Sequence, residues 1–115
     1  MNIIAKSASV QTSFDLYNLT KAPNRHKLVD IKGQTVTLKS WALYEEENSK
    51  GEMVKILSLM TDGGEGYATN SATFIRDFES AVDMFKEFGD EFHQIQVVSG
   101  TSKNGREYIS CLVIA

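Results

Sequence analysis

The sequence contains few residues of three types that would each indicate a particular class of protein. It has 1 cysteine, 1 proline and 2 histidines in 115 residues. A single cysteine excludes an internal disulfide, and the two histidines are far apart, without the spacing of a zinc site. No apolar run is long enough to cross a bilayer, and the N-terminus lacks the charged-then-apolar order of a signal peptide. We therefore expect a cytoplasmic protein with no metal, no cofactor and no membrane partner.

The charge is slightly negative and unevenly distributed. A net charge of -3 argues against a duplex-binding domain, which usually neutralises many phosphates with a basic excess. The first 60 residues carry eight Lys/Arg and six Asp/Glu, whereas the remainder carries four and nine. Five basic residues between positions 21 and 39 are accompanied only by Asp30: Lys21, Arg25, Lys27, Lys32 and Lys39. This stretch is either a cationic binding surface or an ordinary solvated face.

The pattern of apolar residues predicts mostly strands. Period-two alternation and β-branched residues indicate strands over 34–44, 53–60, 66–69, 94–99 and 107–114. Between residues 72 and 88 the period becomes helical, with Phe74, Phe78 and Phe85 on one face. Residues 1–27 have no sustained period, and we expect a partly ordered lead with a short strand near residues 12–17.

The order of these elements predicts the fold class. With 42% hydrophobic residues, the chain can bury the core of one domain, which we place at residues 28–115. Three strands, a helix and two strands form the element order of the OB-fold. We therefore expect a mainly β protein with one helix, folded as an OB-fold-like five-stranded barrel with the helix between its third and fourth strands.

The first long strand contains the only tryptophan. Period-two alternation groups Val36, Leu38 and Ala42 on one face, which we expect to be the core face. Lys39 and Trp41 then point to the other face, where a ring beside a cation would suit an unpaired base. In the alternative interpretation, Trp41 covers the end of a small core. The sequence leaves both interpretations open.

Further aromatic and basic residues extend this candidate surface. In the last strand, Arg106 and Tyr108 take the face opposite the apolar residues, and Tyr67 follows a glycine-rich turn. Base stacking on such rings contributes about 1 to 3 kcal/mol per base and tolerates any sequence. The candidate nucleic-acid-binding residues are Lys39, Trp41, Lys55, Tyr67, Lys103, Arg106 and Tyr108.

Catalytic constellations are lacking, and we expect a protein that is not an enzyme and has no catalytic residues. Cys111 lies in an apolar strand without a histidine nearby, which is typical of a buried structural cysteine. The consecutive carboxylates at residues 45–47 cannot all converge on one metal ion. The turn at residues 62–66 lacks the Lys-Ser/Thr ending of a phosphate-binding loop.

The segment Val-Val-Ser-Gly-Thr-Ser-Lys-Asn-Gly at residues 97–105 carries a family resemblance. It is similar to a Val-Val-x-Gly-Thr-Ser-x-x-Gly pattern that precedes a C-terminal strand. Through this pattern the sequence resembles the single-stranded-DNA-binding proteins of small tailed phages that replicate linear genomes by protein priming in Gram-positive bacteria. The similarity covers about residues 30–115 and includes the turn at Asp62-Gly63, the Tyr67 strand and the helix.

The resemblance implies a small barrel-like viral protein that binds single-stranded DNA during DNA replication. Such a protein covers displaced strands, removes their hairpins and shields them from nucleases, with replication proteins as candidate further partners. Members of the family stack bases on tyrosines, which implies this role for Tyr44 and Tyr67. Two other functions stay open: a small phage adaptor or inhibitor that binds a host protein, and an RNA-binding barrel.

Overall fold

The structure is a computed structural model that describes residues 1–21 and 25–115. Within these residues there are seven strands, two α-helices and one 3-10 turn. The strands are β1 Asn2–Lys6, β2 Arg25–Lys27, β3 Thr35–Glu47, β4 Met53–Thr61, β5 Gly66–Thr69, β6 Gln94–Thr101 and β7 Glu107–Ile114. The helices are α1 Ser13–Thr20 and α2 Ala72–Glu87, and the 3-10 turn spans Leu28–Ile31. No helix in the described part of the chain is both long and apolar enough to span a membrane.

The strands form one mixed sheet in the order β2-β5-β4-β3-β6-β7, with β1 paired to β3. The short β2 runs parallel to β5, and the other described pairs are antiparallel. β3 is the central strand: its start pairs with β6, and its longer remainder pairs with β4 and β1. The five strands that the sequence predicts are confirmed as β3 to β7.

The predicted fold class is wrong. The structure is mainly β, but it has a curled mixed sheet with additional strands and two helices instead of a five-stranded barrel with one helix. The additional elements β1, α1 and β2 come from residues 1–27. Because β2 pairs along β5, the described hydrogen-bonding path ends at β2 on one side and at β7 on the other. The domain boundary at residue 27 stays a prediction.

A register shift in β3 changes which side chains face the core. Leu38 pairs with Thr61 and Ser40 with Met60, so that Lys39 is an extra residue opposite β4. Beyond this bulge, Trp41 and Leu43 share the main core with Leu38. The prediction that Leu38 and Ala42 lie on the same face is therefore wrong, because strict period-two counting does not include a bulge.

The opposite face of β3 has its own small core, covered by α1. Val10 and Leu19 pack there against Ala42 and Tyr44. The predicted strand near residues 12–17 is wrong, because Thr12 and Asp15 form a capping box that starts α1. The backbone N–H groups of Gln11 and Thr12 donate to the Asp15 carboxylate, and these bonds lower its pKa.

The predicted helix and the predicted last hairpin are confirmed. The backbone N–H of Phe74 donates to Ser71 Oγ at 3.3 Å and caps α2, and Gly89 at φ +66° follows its end. The apolar face of α2 contributes Phe74 and Phe78 to the main core. β6 and β7 pair over their whole lengths and place Gly100 directly opposite Tyr108.

Candidate nucleic-acid interface

A groove of about 740 Å³ is lined by the two strands at the ends of the sheet path. β2 contributes Arg25 and Lys27 to its lining, and β7 contributes Tyr108 and Ile109. Further lining residues come from the 3-10 turn and its flanks, the β3–β4 hairpin, and the end of β5 with the two residues that follow it. The groove lining therefore includes both cations and an aromatic ring.

The ring of Tyr108 is supported by a glycine. A Cβ at position 100 would lie 2.6 Å from both Cζ and Oη of Tyr108, so the phenol end of the ring lies directly over Gly100. Tyr108 is nevertheless 41% exposed. Contact of this kind between an aromatic ring and a cross-strand glycine restricts the ring to fewer orientations. The groove thus has a partly exposed ring that is already positioned.

Acidic and basic residues are balanced in the groove lining. Arg25, Lys27 and Lys32 lie there together with three glutamates: Glu46, Glu47 and Glu107. Two of these glutamates have lysine partners, since Lys21 Nζ contacts the Glu46 carboxylate and Lys32 Nζ lies 3.9 Å from that of Glu107. Both pairs are at the surface, where such contacts are weak and are screened by salt. Their lysine partners therefore hold these two carboxylates only weakly.

Lys39 and Trp41 lie together, but in a different depression. This pocket of about 340 Å³ is bounded by β1, β3 and the C-terminal end of α2, and it also contains Lys6 and Lys86. Trp41 is half-buried, and its ring meets that of Phe78 edge-on, with centroids 5.0 Å apart at 79°. Trp41 therefore packs against the main core, as expected if it covers the end of a small core. Its contact with a base stays a prediction.

The two tyrosines implied by the family resemblance are buried. Tyr44 is 1% exposed, and its hydroxyl lies 3.0 Å from Ser58 Oγ. Tyr67 is 7% exposed and donates to Glu65 Oε2 at 3.0 Å. Desolvation, and then this hydrogen bond, raise the pKa of Tyr67. In this structure, Tyr44 and Tyr67 offer little surface on which a base could stack.

The remaining predicted residues are exposed. Lys103 and Arg106 lie at the β6–β7 turn, on the same hairpin as Tyr108. Lys55 instead reaches α2, where its Nζ lies 3.2 Å from Glu79 Oε1. The structure thus brings Tyr108, Lys103 and Arg106 onto the hairpin beside the groove, while Lys55 lies apart from them.

Sequence reasoning included Arg25, Lys27 and Lys32 only as part of a basic stretch that could be a cationic binding surface, and not among the individual site residues. All three line the groove, but Arg25 and Lys27 lie in the three-residue β2, which is too short for a detectable period, and Lys32 follows the 3-10 turn. The supporting role of Gly100 was also missed, although it is the glycine of the Gly-Thr-Ser segment. A glycine within a strand, opposite a tyrosine, would have been the signal for it.

No group of three or more His, Cys, Asp or Glu side chains in residues 1–21 and 25–115 is arranged to hold a metal ion. The chain matches no protein-family model, and neither the curated proteins nor the solved structures contain a match.

Proposed function

We propose that this chain is a sequence-independent single-stranded-DNA-binding protein that holds the strand in the groove between β2 and β7. The observation that carries the proposal is the partly exposed Tyr108, supported by Gly100, in the lining of the same groove as Arg25 and Lys27. Non-specific binding of single strands combines aromatic stacking with cations along the backbone. The groove supplies both, and Lys103 and Arg106 extend the cationic surface along the hairpin.

The overall charge favours single strands over duplex as the ligand. At a net charge of -3 the protein lacks the overall basic excess with which duplex-binding domains usually neutralise phosphates. Stacking on Tyr108 requires an unpaired base, because a base inside a duplex presents its faces to its neighbours. Affinity that depends on stacking and on a few cations should therefore discriminate strongly against duplex.

The resemblance to phage proteins supports a role in replication. In this proposal the protein coats and protects displaced strands during the DNA replication of a phage or mobile element, in the cytoplasm of the host cell. It acts by binding alone and without catalysis, with replication proteins as candidate partners.

Fluorescence anisotropy with a labelled oligo-dT tests the proposal. We expect oligo-dT to bind far more tightly than duplex of the same length, more tightly than oligo-rU, and more weakly as salt rises. Equal affinity for single strand and duplex would contradict the proposal. Preference for oligo-rU would favour an RNA-binding protein, and failure to bind any nucleic acid would favour the adaptor function.

A matched pair of lysine variants tests the location of the site. Lys27→Met removes a cation from the groove, whereas Lys86→Met removes one from the pocket beside Trp41. We expect Lys27→Met to lower oligo-dT affinity and to reduce the slope of log affinity against log salt concentration by about one. Lys86→Met should change neither quantity. The reverse result would place the site at Trp41.

A further inference from the structure

The side chain of Arg25 is held at two points along its length. Its Cγ packs against Gly66, where a Cβ would lie 3.3 Å from it. Its Nη1 donates to Ser58 Oγ at 2.9 Å and to the Tyr44 hydroxyl at 3.3 Å. Ser58 is 0% exposed and Tyr44 is 1% exposed, so both acceptors are fixed in the core. The guanidinium is therefore oriented before any ligand arrives.

This guanidinium has no anionic partner among residues 1–21 and 25–115. The ion pairs of the described residues do not include Arg25, and the hydrogen bonds of its guanidinium use Nη1 alone. Glu46, in the same groove, is engaged by Lys21. A partly buried cation without a counterion is unfavourable, and burial of an arginine is usually compensated by an anion. Arg25 lines the groove, where such an anion can reach it.

We propose that Arg25 is the phosphate anchor of the groove, with Ser58 and Tyr44 as positioning residues. The planar guanidinium can give two parallel hydrogen bonds to one phosphate, through Nε and Nη2, while Nη1 stays bonded to the core hydroxyls. Lys27, two residues further along β2, points to the same side and adds a second charge. Tyr44 then contributes to binding through Arg25 and not by stacking. The phosphate as ligand rests on the proposed function, in which it belongs to a DNA strand.

The first experiment uses inorganic phosphate as the probe, with the full chain labelled for NMR. We expect phosphate to shift the side-chain Nε–Hε signal of Arg25 and to leave that of Arg76 unchanged, because Arg76 is on α2 and outside the groove lining. Arg25→Lys keeps the charge but loses the planar fork, and should weaken phosphate binding about tenfold or more. The matched control Arg76→Lys should leave phosphate affinity unchanged.

Variants of the neighbouring residues test the positioning role. Ser58→Ala and Tyr44→Phe should each weaken phosphate binding by roughly twofold to tenfold, and should broaden the Arg25 Nε–Hε signal because the guanidinium gains freedom. Glu46→Gln removes one of the carboxylates that line the groove and should strengthen phosphate binding by about twofold. If Arg25→Lys does not fold, the phosphate titrations of the unsubstituted protein and of Glu46→Gln decide whether phosphate binds at Arg25.

The outcomes for phosphate and for DNA are separable. The proposed role of Arg25 as phosphate anchor is overturned if its Nε–Hε signal does not move at high phosphate concentration. It is also overturned if Arg25→Lys and the unsubstituted protein bind phosphate equally well. Both results count even if oligo-dT binds. Phosphate binding at Arg25 without any oligo-dT binding supports the anchor and overturns the proposed function.

Discussion

Tyr108 lies over Gly100, its partner across the β6–β7 hairpin, so closely that a Cβ at position 100 would come within 2.6 Å of the phenol Cζ. The Tyr108 ring can take this position only because Gly100 has no side chain. Because the same ring lines the groove, the identity of residue 100 should affect ligand binding without any direct contact.

Gly100→Ala should therefore weaken binding of oligo-dT. The added methyl group moves the Tyr108 ring, and we expect a loss close to that of Tyr108→Ala, which should be about 1 to 3 kcal/mol for one lost stacking contact. Anisotropy titrations of the two single variants and the double variant measure this. Since both changes affect one ring, the double variant should lose little more than either single one.

Thr101→Ala is the matched control for Gly100→Ala. It changes the next residue on the same strand, where alternation directs the side chain to the other face. Its oligo-dT affinity should match that of the unsubstituted protein. An unchanged affinity of Gly100→Ala, or additive losses in the double variant, would contradict the supporting role of Gly100.

Trp41→Ala should affect stability more than DNA binding. The ring packs edge-on against Phe78 and contacts the main core, and its loss should cost about 3 kcal/mol of unfolding free energy, the lower end for a buried tryptophan. Denaturant unfolding measures this cost, and oligo-dT affinity of the folded variant should stay within about twofold, because Trp41 is outside the groove. Intact stability with weakened DNA binding would instead support the stacking prediction for Trp41.

Local sequence signals were sufficient to predict most of the secondary structure. Alternation and an Asn-Gly turn indicated the β6–β7 hairpin, and the 3.6-residue period with Ser71 and Gly89 indicated α2. The place of β2 in the sheet could not be predicted, because it depends on which distant strand β2 joins. A three-residue strand has no period, and its parallel pairing with β5 is a purely tertiary contact.

The candidate site was only partly predictable for the same reason. Period-two alternation along β7 correctly placed Tyr108 on the polar face of the strand. Parity along β3 failed beyond Lys39, since a bulge leaves no reliable signal in a single sequence. The contact of Arg25 with Tyr44 and Ser58 joins three strands that are distant in sequence, so that no local pattern could indicate it.

Asp15 should make stability depend on pH in the acidic range. Backbone hydrogen bonds from Gln11 and Thr12 lower its pKa in the folded state, so the carboxylate stabilises the fold above its ordinary pKa. This contribution is lost as the pH falls through the lowered value. Thermal unfolding of Asp15→Asn should thus show a lower midpoint than the unsubstituted protein at pH 7, and the gap should narrow as the pH falls below the ordinary aspartate pKa of 3.8. A gap independent of pH would contradict this role.

Cys111 should be unreactive in the folded protein. It lies on β7 opposite Val97 and packs against the main core, where burial, and then the charge of Asp77, raise its pKa to about 12. At pH 8 the reactive thiolate is then on the order of 10⁻⁴ of the folded population, against roughly a tenth or more in the unfolded chain. Reaction with a colorimetric disulfide reagent should be at least about 100-fold slower in buffer than in denaturant. Cys111→Ala supplies the blank, and similar rates in both conditions would show that the thiol is exposed.

Because the Cys111 thiol holds its proton more tightly in the folded state, the unsubstituted protein should also lose stability relative to Cys111→Ala as the pH rises above about 9.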